Sequence, residues 1–197
     1  MSIHKDLVAL AHETAEKLIN KGDKVIDATV GNGYDTLFLA ERVGNEGLVF
    51  GFDIQERAIR NTKIHLESAG MFDRVTLIHA GHETMLRHIP EIYREQIKSV
   101  FFNLGYLPGA VKSIITKPET TLLALDMAWR LISVEGFISI IYYPGHPGGE
   151  DEVAKINSWV YNNEIKYMHC ELRGHSKTSP GIFIIGKSPL NNSTNLN

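Results

Sequence analysis

The amino-acid sequence predicts an α/β fold in which a mostly parallel β-sheet is covered by helices on both faces and closed by an antiparallel hairpin. Short apolar runs bounded by glycine or charged residues alternate with segments of helical spacing along most of the chain, which is typical of βαβ units. The last two strand-like runs, residues 165–172 and 181–186, are separated only by a loop over residues 173–180. Because so short a loop cannot make a parallel crossover, these two strands should pair antiparallel.

The expected sheet has seven strands. Five apolar runs predict the parallel strands: residues 24–30, 47–53, 74–79, 99–103 and 136–143. Segments with apolar residues at helical spacing predict the helices: residues 6–19, 35–43, 55–68, 119–132 and 150–162. We therefore expect a single domain over residues 1–187 and a flexible polar tail over residues 188–197.

Composition and charge narrow the class of protein. The 197 residues are 43% hydrophobic and 22% charged, as in ordinary globular domains. The net charge of −3 disfavours a general nucleic-acid binder but allows a local basic patch. Cys170 is the single cysteine, so an intramolecular disulfide is excluded and a reducing compartment is favoured. No signal-peptide pattern or membrane-length apolar run is found, and we expect a soluble cytoplasmic protein that does not contact a membrane.

The strongest local motif is a strand that runs into a glycine-rich turn and then a helix, with the sequence VIDATVGNGYDT over residues 25–36. Gly31 and Gly33 allow close approach of the backbone to a ligand at the carboxyl end of the first strand, where open α/β sheets bind ligands. Thr36 occupies the third small position of a dinucleotide fingerprint. This favours a nucleoside with a zwitterionic amino-acid tail over a pyrophosphate, with Asp27 facing the ammonium. The alternative is a plain tight turn.

Two further strand ends carry polar residues. Asp53 ends the second strand, one βαβ step past the glycine loop, where a carboxylate can accept both ribose hydroxyls. Its alternative role is to cap the following helix, and the two roles are compatible. After the third strand, a backbone amide at Gly81 and the side chain of His82 could lie near an adenine. His82 could equally be a residue that only begins a helix.

The fourth strand ends in the sequence FFNLGYLPG over residues 101–109. This segment resembles the Asn-Pro-Pro-Tyr motif of amino-group methyltransferases, in which the asparagine oxygen and a following carbonyl accept N–H bonds from the target nitrogen while the aromatic ring stacks on the base. Leu104 and Gly105 replace the two prolines. The resemblance implies catalytic roles for Asn103 and Tyr106. The alternative is an ordinary Gly-Pro loop between strand and helix.

Metal chemistry is not expected. The segment that begins with His82 lacks the second histidine of a zincin helix, and a chain with one cysteine and scattered histidines has no structural zinc pattern. Residues 145–149, with the sequence GHPGG, are predicted to form a turn, and a substrate contact by His146 is the alternative.

Together these motifs resemble a family of small class I methyltransferases known as rRNA methylases. The resemblance covers about residues 7–187. It rests on the segments DATVGNGYDT (27–36), FDIQ (52–55), HE (82–83), NLGYLPG (103–109), TKPETT (116–121) and YPGHP (143–147). Relatives commonly carry a more polar Asp-Ser pair where this chain has Ala80 and Gly81.

The resemblance implies a Rossmann-like class I methyltransferase fold with S-adenosyl-L-methionine as cofactor. It also implies methylation of the aminomethyl nitrogen on the wobble uridine of tRNA, and a homodimer. The expected contacts to the methyl donor are Asp27, Thr29, Gly31, Asn32, Gly33, Asp35, Thr36, Asp53, Ile54, Gln55, Gly81, His82 and Asn103. The expected contacts to the anticodon region of the tRNA are Leu104, Gly105, Tyr106, Pro108, Lys117, Tyr143, His146 and Arg173.

Two other functions stay open at this point. One is a methyltransferase for rRNA or for a small-molecule amine, and the other is a non-catalytic module that binds a nucleotide or RNA. Basic residues in two loops could form a rim for RNA phosphates despite the acidic net charge, or could be ordinary solvated charges. They are Lys112, Lys117, Arg173, His175 and Lys177.

Overall fold

The computed structural model describes residues 3–105, 115–145, 147–163, 165, 167–171 and 179–188, and for residues 3–5 and 167–171 it describes the backbone alone. Several predicted site residues lie outside these ranges, namely Tyr106, Pro108, Lys112, His146, Arg173, His175 and Lys177. Most of the predicted polar tail also lies outside them. Its first residue, Ser188, donates a hydrogen bond of 2.9 Å to the carbonyl of Val134.

Seven strands form one sheet in the order β3-β2-β1-β4-β5-β7-β6. They are β1 (Lys24–Asp27), β2 (Leu48–Asp53), β3 (Val75–His79), β4 (Ile97–Asn103), β5 (Ile132–Tyr142), β6 (Tyr167–Glu171) and β7 (Gly181–Gly186). Strands β1 to β5 pair in parallel, whereas β7 runs antiparallel to both β5 and β6. The predicted C-terminal antiparallel hairpin is therefore confirmed.

The α-helices cover both faces of this sheet. They are α1 (Ile3–Leu18), α2 (Tyr34–Val43), α3 (Glu56–Ser68), α4 (Met85–His88), α5 (Pro118–Leu131) and α6 (Gly149–Asn162). One apolar cluster contains residues of α1, α2 and α3, and the other contains residues of α4, α5 and α6. Neighbouring residues of β1 divide between them, because Val25 packs in the first cluster and Ile26 in the second, as the two-residue period of a strand requires.

Strand β1 lies between β2 and β4, so the chain changes direction across the sheet there. Such a switch point opens a crevice at the carboxyl ends of the strands. The loop after β1 is held from both sides, since Ala28 N–H bonds the carbonyl of Phe101 at 2.8 Å and Val30 N–H bonds that of Phe52 at 3.0 Å. These bonds fix the glycine loop relative to the ends of β2 and β4.

Two strand boundaries and one unpredicted helix are the clearest differences from the prediction. Strand β1 ends at Asp27 rather than at residue 30, because the chain leaves the β-ladder to form the turn. Strand β5 begins at Ile132 rather than at residue 136, immediately after α5. Helix α4 was not predicted, because a single turn of four residues is too short to show a helical period.

Candidate functional site

Four loops meet at the carboxyl edge of the sheet, after β1, β2, β3 and β4. They bring together most of the residues predicted to hold a nucleoside: Asp27, Thr29, Gly31, Asn32, Gly33, Asp35, Asp53, Ile54, Gln55, Gly81, His82 and Asn103. Two other predicted residues lie beside these loops. Lys117 is exposed and directly precedes α5, and Tyr143 follows β5 and is partly buried.

The glycine loop depends on its glycines. Gly31 and Gly33 have φ angles of 53° and 82°, in the left-handed region that other residues rarely adopt. Gly33 also donates its N–H to the carbonyl of Val30 at 2.8 Å. A Cβ atom at Gly33 would lie 2.5 Å from the Thr62 hydroxyl oxygen. The turn therefore requires glycine at position 33 both for its backbone angles and for its packing against α3.

Asp27 lies beneath this loop and is 1% exposed. Its Oδ1 accepts the N–H of Thr29 at 3.1 Å, and its Oδ2 accepts the hydroxyl of Thr36 at 2.5 Å. Thr36 has no exposed surface, so its predicted direct contact with the methyl donor is corrected. Its hydroxyl is used by Asp27, and it supports that carboxylate from the interior.

Burial raises the pKa of Asp27 to about 7, and repulsion from the carboxylates of Asp35 and Asp53 acts in the same direction. The hydrogen bonds from Thr36 and Thr29 oppose the rise. The buried carboxyl therefore takes up a proton at a higher pH than it does in the unfolded chain. A cation placed beside it would favour the ionised form.

This difference makes the stability of the ligand-free protein depend on pH. Between about pH 4 and pH 7 the folded state binds the Asp27 proton and the unfolded state does not, so the free energy of unfolding falls as pH rises through this window. Between pH 5 and pH 7.5 the free energy of unfolding of the wild type should fall by an amount on the order of 1–3 kcal/mol because of Asp27. This contribution should be absent from Asp27→Asn. Urea unfolding of both proteins at the two pH values measures it. Equal losses in the two proteins would contradict the assignment to Asp27.

Asp53 joins the second loop to the first. Its Oδ2 accepts the N–H of Gly31 and its Oδ1 accepts the N–H of Gln55, both at 2.8 Å. Gln55, not Asp53, occupies the N-cap position of α3, so the alternative capping role of Asp53 is not seen. Burial raises the pKa of Asp53, while the bonds from Gln55 and Gly31 and the nearby His79 oppose the rise. Each carboxylate oxygen can accept a second hydrogen bond, which leaves acceptor capacity for a ligand.

His82 connects the third loop to the first. Its Nδ1 lies 3.2 Å from the carbonyl oxygen of Ala28, an acceptor, so Nδ1 carries the hydrogen. The ring meets that of Phe102 edge-on at 5.6 Å, and burial lowers the pKa of His82. A neutral imidazole follows at neutral pH. His82 also begins the 3-10 turn over His82–Thr84, which agrees with the alternative prediction that His82 begins a helix.

Two histidines for which the sequence predicted no role make hydrogen bonds at the carboxyl edge of the sheet. His79 bonds the carbonyl of Ile54 through Nε2 at 3.0 Å and so joins the third loop to the second. His12 on α1 lies 2.8 Å from Oδ1 of Asp35 and stacks on Phe38 with ring centroids 3.7 Å apart. No pattern in the sequence pairs residue 12 with residue 35, since α1 carries no motif.

The fourth loop begins at Asn103. Its N–H donates to the hydroxyl of Thr29 at 2.7 Å, whereas its side-chain amide has no hydrogen bond within the described residues. Leu104 is 1% exposed and packs in the core, so its side chain cannot contact a substrate and only its main chain can. Gly105 has a φ angle of 121° and bonds Thr116. The backbone of Asn103 is therefore tied to the glycine loop, while its side-chain amide is unpaired among the residues that the structure describes.

Neither a metal centre nor a membrane span is found in the described part of the chain. No group of three or more His, Cys, Asp or Glu residues there could hold a metal ion. No helix there is both long and apolar enough to cross a bilayer.

Comparisons with known proteins identify the family of this chain. A family model described as "Putative rRNA methylase" matches residues 49–186. A second model, for protein-L-isoaspartate O-methyltransferase, matches residues 2–85. The chain is 43% identical over 163 residues to a protein named tRNA (mnm(5)s(2)U34)-methyltransferase, chloroplastic, from Arabidopsis thaliana. That alignment covers 79% of this chain and 59% of the relative's length.

Two solved structures are similar over nearly their whole length. A protein of the same rRNA-methylase description from Clostridium thermocellum is 38% identical, with a TM-score of 0.85 and coverage of 91% of this chain and 96% of that one. A protein from Streptococcus mutans, described as a methyltransferase in complex with SAH, is 31% identical, with a TM-score of 0.78 and coverage of 90% and 96%. The chain thus belongs to the rRNA methylase family and is a methyltransferase that uses S-adenosylmethionine as its methyl donor.

Proposed function

We propose that this protein transfers a methyl group from S-adenosylmethionine to the aminomethyl nitrogen on the wobble uridine of tRNA. The observation that carries the proposal is the side-chain amide of Asn103. Asn103 is the last residue of β4, and its backbone N–H bonds Thr29 of the glycine loop. Its side-chain amide has no hydrogen bond within the described residues. An amide oxygen in this position can accept an N–H from an amine that approaches the methyl group. The name of the Arabidopsis thaliana relative supports the same substrate.

The groups at the carboxyl edge match the chemistry of the methyl donor. Its ammonium and ribose hydroxyls need acceptors. Asp27 and Asp53 are the last residues of β1 and β2, and Asp35 lies in the first turn of α2. Ile54 is 56% exposed and offers apolar surface to the adenine. We assign the ribose to Asp53 and the ammonium to Asp35. Asp27, which is 1% exposed, contributes negative charge from beneath the loop rather than a direct contact. The cofactor itself supplies an electrophilic methyl group on a cationic sulfonium.

The protein must then present a neutral amine in line with that methyl group. Orientation of this kind lowers a barrier by several kcal/mol. An alkylamine has a reference pKa near 10.4, and a desolvated site beside a cation lowers it, so we assign no dedicated general base. The Asn103 oxygen is the first acceptor for the amine. Since the Gly105 carbonyl already accepts the Thr116 N–H at 3.0 Å, the carbonyl of Leu104 is the better second acceptor.

Tyr106 and Pro108 complete the proposed acceptor site, with the Tyr106 ring stacking on the base. A homodimer and a reducing compartment that contains tRNA, such as the cytoplasm, also belong to the proposal. Analytical ultracentrifugation of the purified protein tests the homodimer.

Nucleoside mass spectrometry of tRNA from cells that lack this protein tests the function. We expect the methylaminomethyl nucleoside to disappear and the aminomethyl nucleoside to accumulate, with recovery when the gene is restored. Unchanged tRNA nucleosides with loss of a methylated nucleoside from rRNA would favour the rRNA alternative. Binding of S-adenosylhomocysteine without methylation of any RNA or amine would favour the non-catalytic alternative.

The basic rim yields a prediction about how an acidic protein binds tRNA. We expect Lys117→Glu combined with Arg173→Glu to weaken tRNA binding and to flatten its salt dependence by a log–log slope of about 0.7–0.9 for each lost phosphate contact. Lys21→Glu is the matched control, since Lys21 is exposed and precedes β1 at the opposite edge of the sheet. Filter binding at several salt concentrations measures the slopes. A wild-type slope in the double variant would place the RNA surface elsewhere.

A further inference from the structure

Helix α6 contributes a buried carboxylate that the proposed mechanism has not used. Glu152 lies in the first turn of α6 and is 2% exposed. Its Oε2 accepts the hydroxyl of Thr116 at 3.0 Å, and its Oε1 accepts the hydroxyl of Thr121 at 2.6 Å. A buried carboxylate is costly unless hydrogen bonds compensate it, so these bonds hold both threonines tightly.

Thr116 links Glu152 to the fourth loop by hydrogen bonds. Its hydroxyl accepts the N–H of Gly105 at 2.9 Å, and its own N–H donates to the Gly105 carbonyl at 3.0 Å. Because the hydroxyl hydrogen is used by Glu152, a lone pair of the oxygen faces Gly105, and successive hydrogen bonds of this kind strengthen one another. Leu104 is fixed separately through its N–H to the Ile141 carbonyl at 2.9 Å. Both residues after Asn103 are therefore held in place.

The first turn of α6 is itself well anchored. A Cβ atom at Gly149 would lie 2.5 Å from the Tyr143 carbonyl oxygen and 2.9 Å from Cα of Pro144, so the helix begins in close contact with the segment after β5. Glu152 also donates its N–H to the Gly148 carbonyl at 3.0 Å. A carboxylate in a first helical turn is favoured by the helix dipole. Glu152 is thus a rigid point from which a loop can be positioned.

We propose that Glu152 is a positioning residue for the methyl acceptor. Through Thr116 it fixes Gly105, and thereby sets where the Asn103 amide and the Leu104 carbonyl meet the target nitrogen. This inference rests on the proposed function insofar as the acceptor binds at Asn103. The competing role is purely structural, that of a brace: Glu152 would only hold α6 against α5 through Thr121, and against the segment before α5 through Thr116.

The two threonines separate these roles. Thr116→Val removes the hydroxyl that links Glu152 to Gly105, whereas Thr121→Val removes an equivalent hydroxyl on α5 that does not contact the fourth loop. We expect Thr116→Val and Glu152→Gln to lower kcat for tRNA methylation at least about tenfold, the scale of a modest loss of orientation. Their affinity for S-adenosylhomocysteine should stay unchanged. Thr121→Val should keep the wild-type kcat, and Thr116→Ser should restore most of it.

Hydrogen exchange gives a measurement that does not require activity. The Gly105 amide should exchange faster in Thr116→Val and Glu152→Gln than in the wild type, and Thr121→Val should leave it protected. Equal falls in kcat for both valine variants, or an unchanged Gly105 amide in Glu152→Gln, would overturn the inference in favour of the brace. If the wild type fails to methylate tRNA while the Gly105 amide responds as expected, the proposed substrate is wrong but the positioning role of Glu152 stands.

Discussion

Replacing Asn103 with alanine is expected to lower the rate of methyl transfer by about 100-fold, the scale on which misplaced reactants slow an enzyme. Donor affinity should fall far less than the rate, because the Asn103 contact to the glycine loop uses its backbone N–H, which bonds Thr29 and survives the substitution. The side-chain amide is lost, and with it the acceptor proposed for the target nitrogen.

Single-turnover methylation of undermethylated tRNA measures this effect, with S-adenosylhomocysteine binding and thermal unfolding as controls for the donor site and the fold. A rate within about threefold of the wild type, roughly 0.65 kcal/mol of barrier, would mean that the resemblance to the amino-group methyltransferase motif is misleading. A loss of methyl-donor affinity as large as the loss of rate would mean that Asn103 acts mainly on the cofactor rather than on the methyl acceptor.

The order of the elements could be predicted because it depends on local patterns. Alternation of strand and helix predicted the parallel strands, and the short loop before β7 predicted the antiparallel hairpin. The strand Gly181–Gly186 agrees with its predicted bounds at both ends, since it is an apolar run enclosed by glycines. Shorter features such as α4 escaped, because one turn carries no period.

The loops that form the site could be predicted in the same way, because each follows a buried strand. The contacts that each side chain makes in these loops could not be predicted. Thr36 was expected to contact the methyl donor, yet it lies behind Asp27. The difference arises from burial, which a position in a motif does not specify.

Contacts between distant residues were beyond prediction. His12 bonds Asp35 across 23 positions, and Glu152 bonds Thr116 across 36. Such pairs depend on how helices pack on the sheet, and a single sequence shows no correlation between them. The described site is therefore more extensively supported from α1 and α6 than its motifs suggested.

Asp53 carries the second large expected effect. Asp53→Ala should weaken the binding of S-adenosylhomocysteine by about 10- to 100-fold, because unpaired ribose hydroxyls cost roughly 1–3 kcal/mol. The protein should remain folded, since burial already disfavours the charge of this carboxylate, as its raised pKa indicates. Titration calorimetry measures the affinity, and circular dichroism checks the fold.

The substitution also removes the acceptor for Gly31 and Gln55, so a weaker affinity alone does not identify the ribose as the partner of Asp53. A ligand lacking both ribose hydroxyls separates the two causes. If Asp53 binds the hydroxyls, the wild type should discriminate between S-adenosylhomocysteine and its 2′,3′-dideoxy analogue, and Asp53→Ala should lose most of that discrimination. A variant that binds both ligands weakly but keeps the wild-type ratio would restrict Asp53 to holding the glycine loop, because an interaction between two groups vanishes when either one is removed.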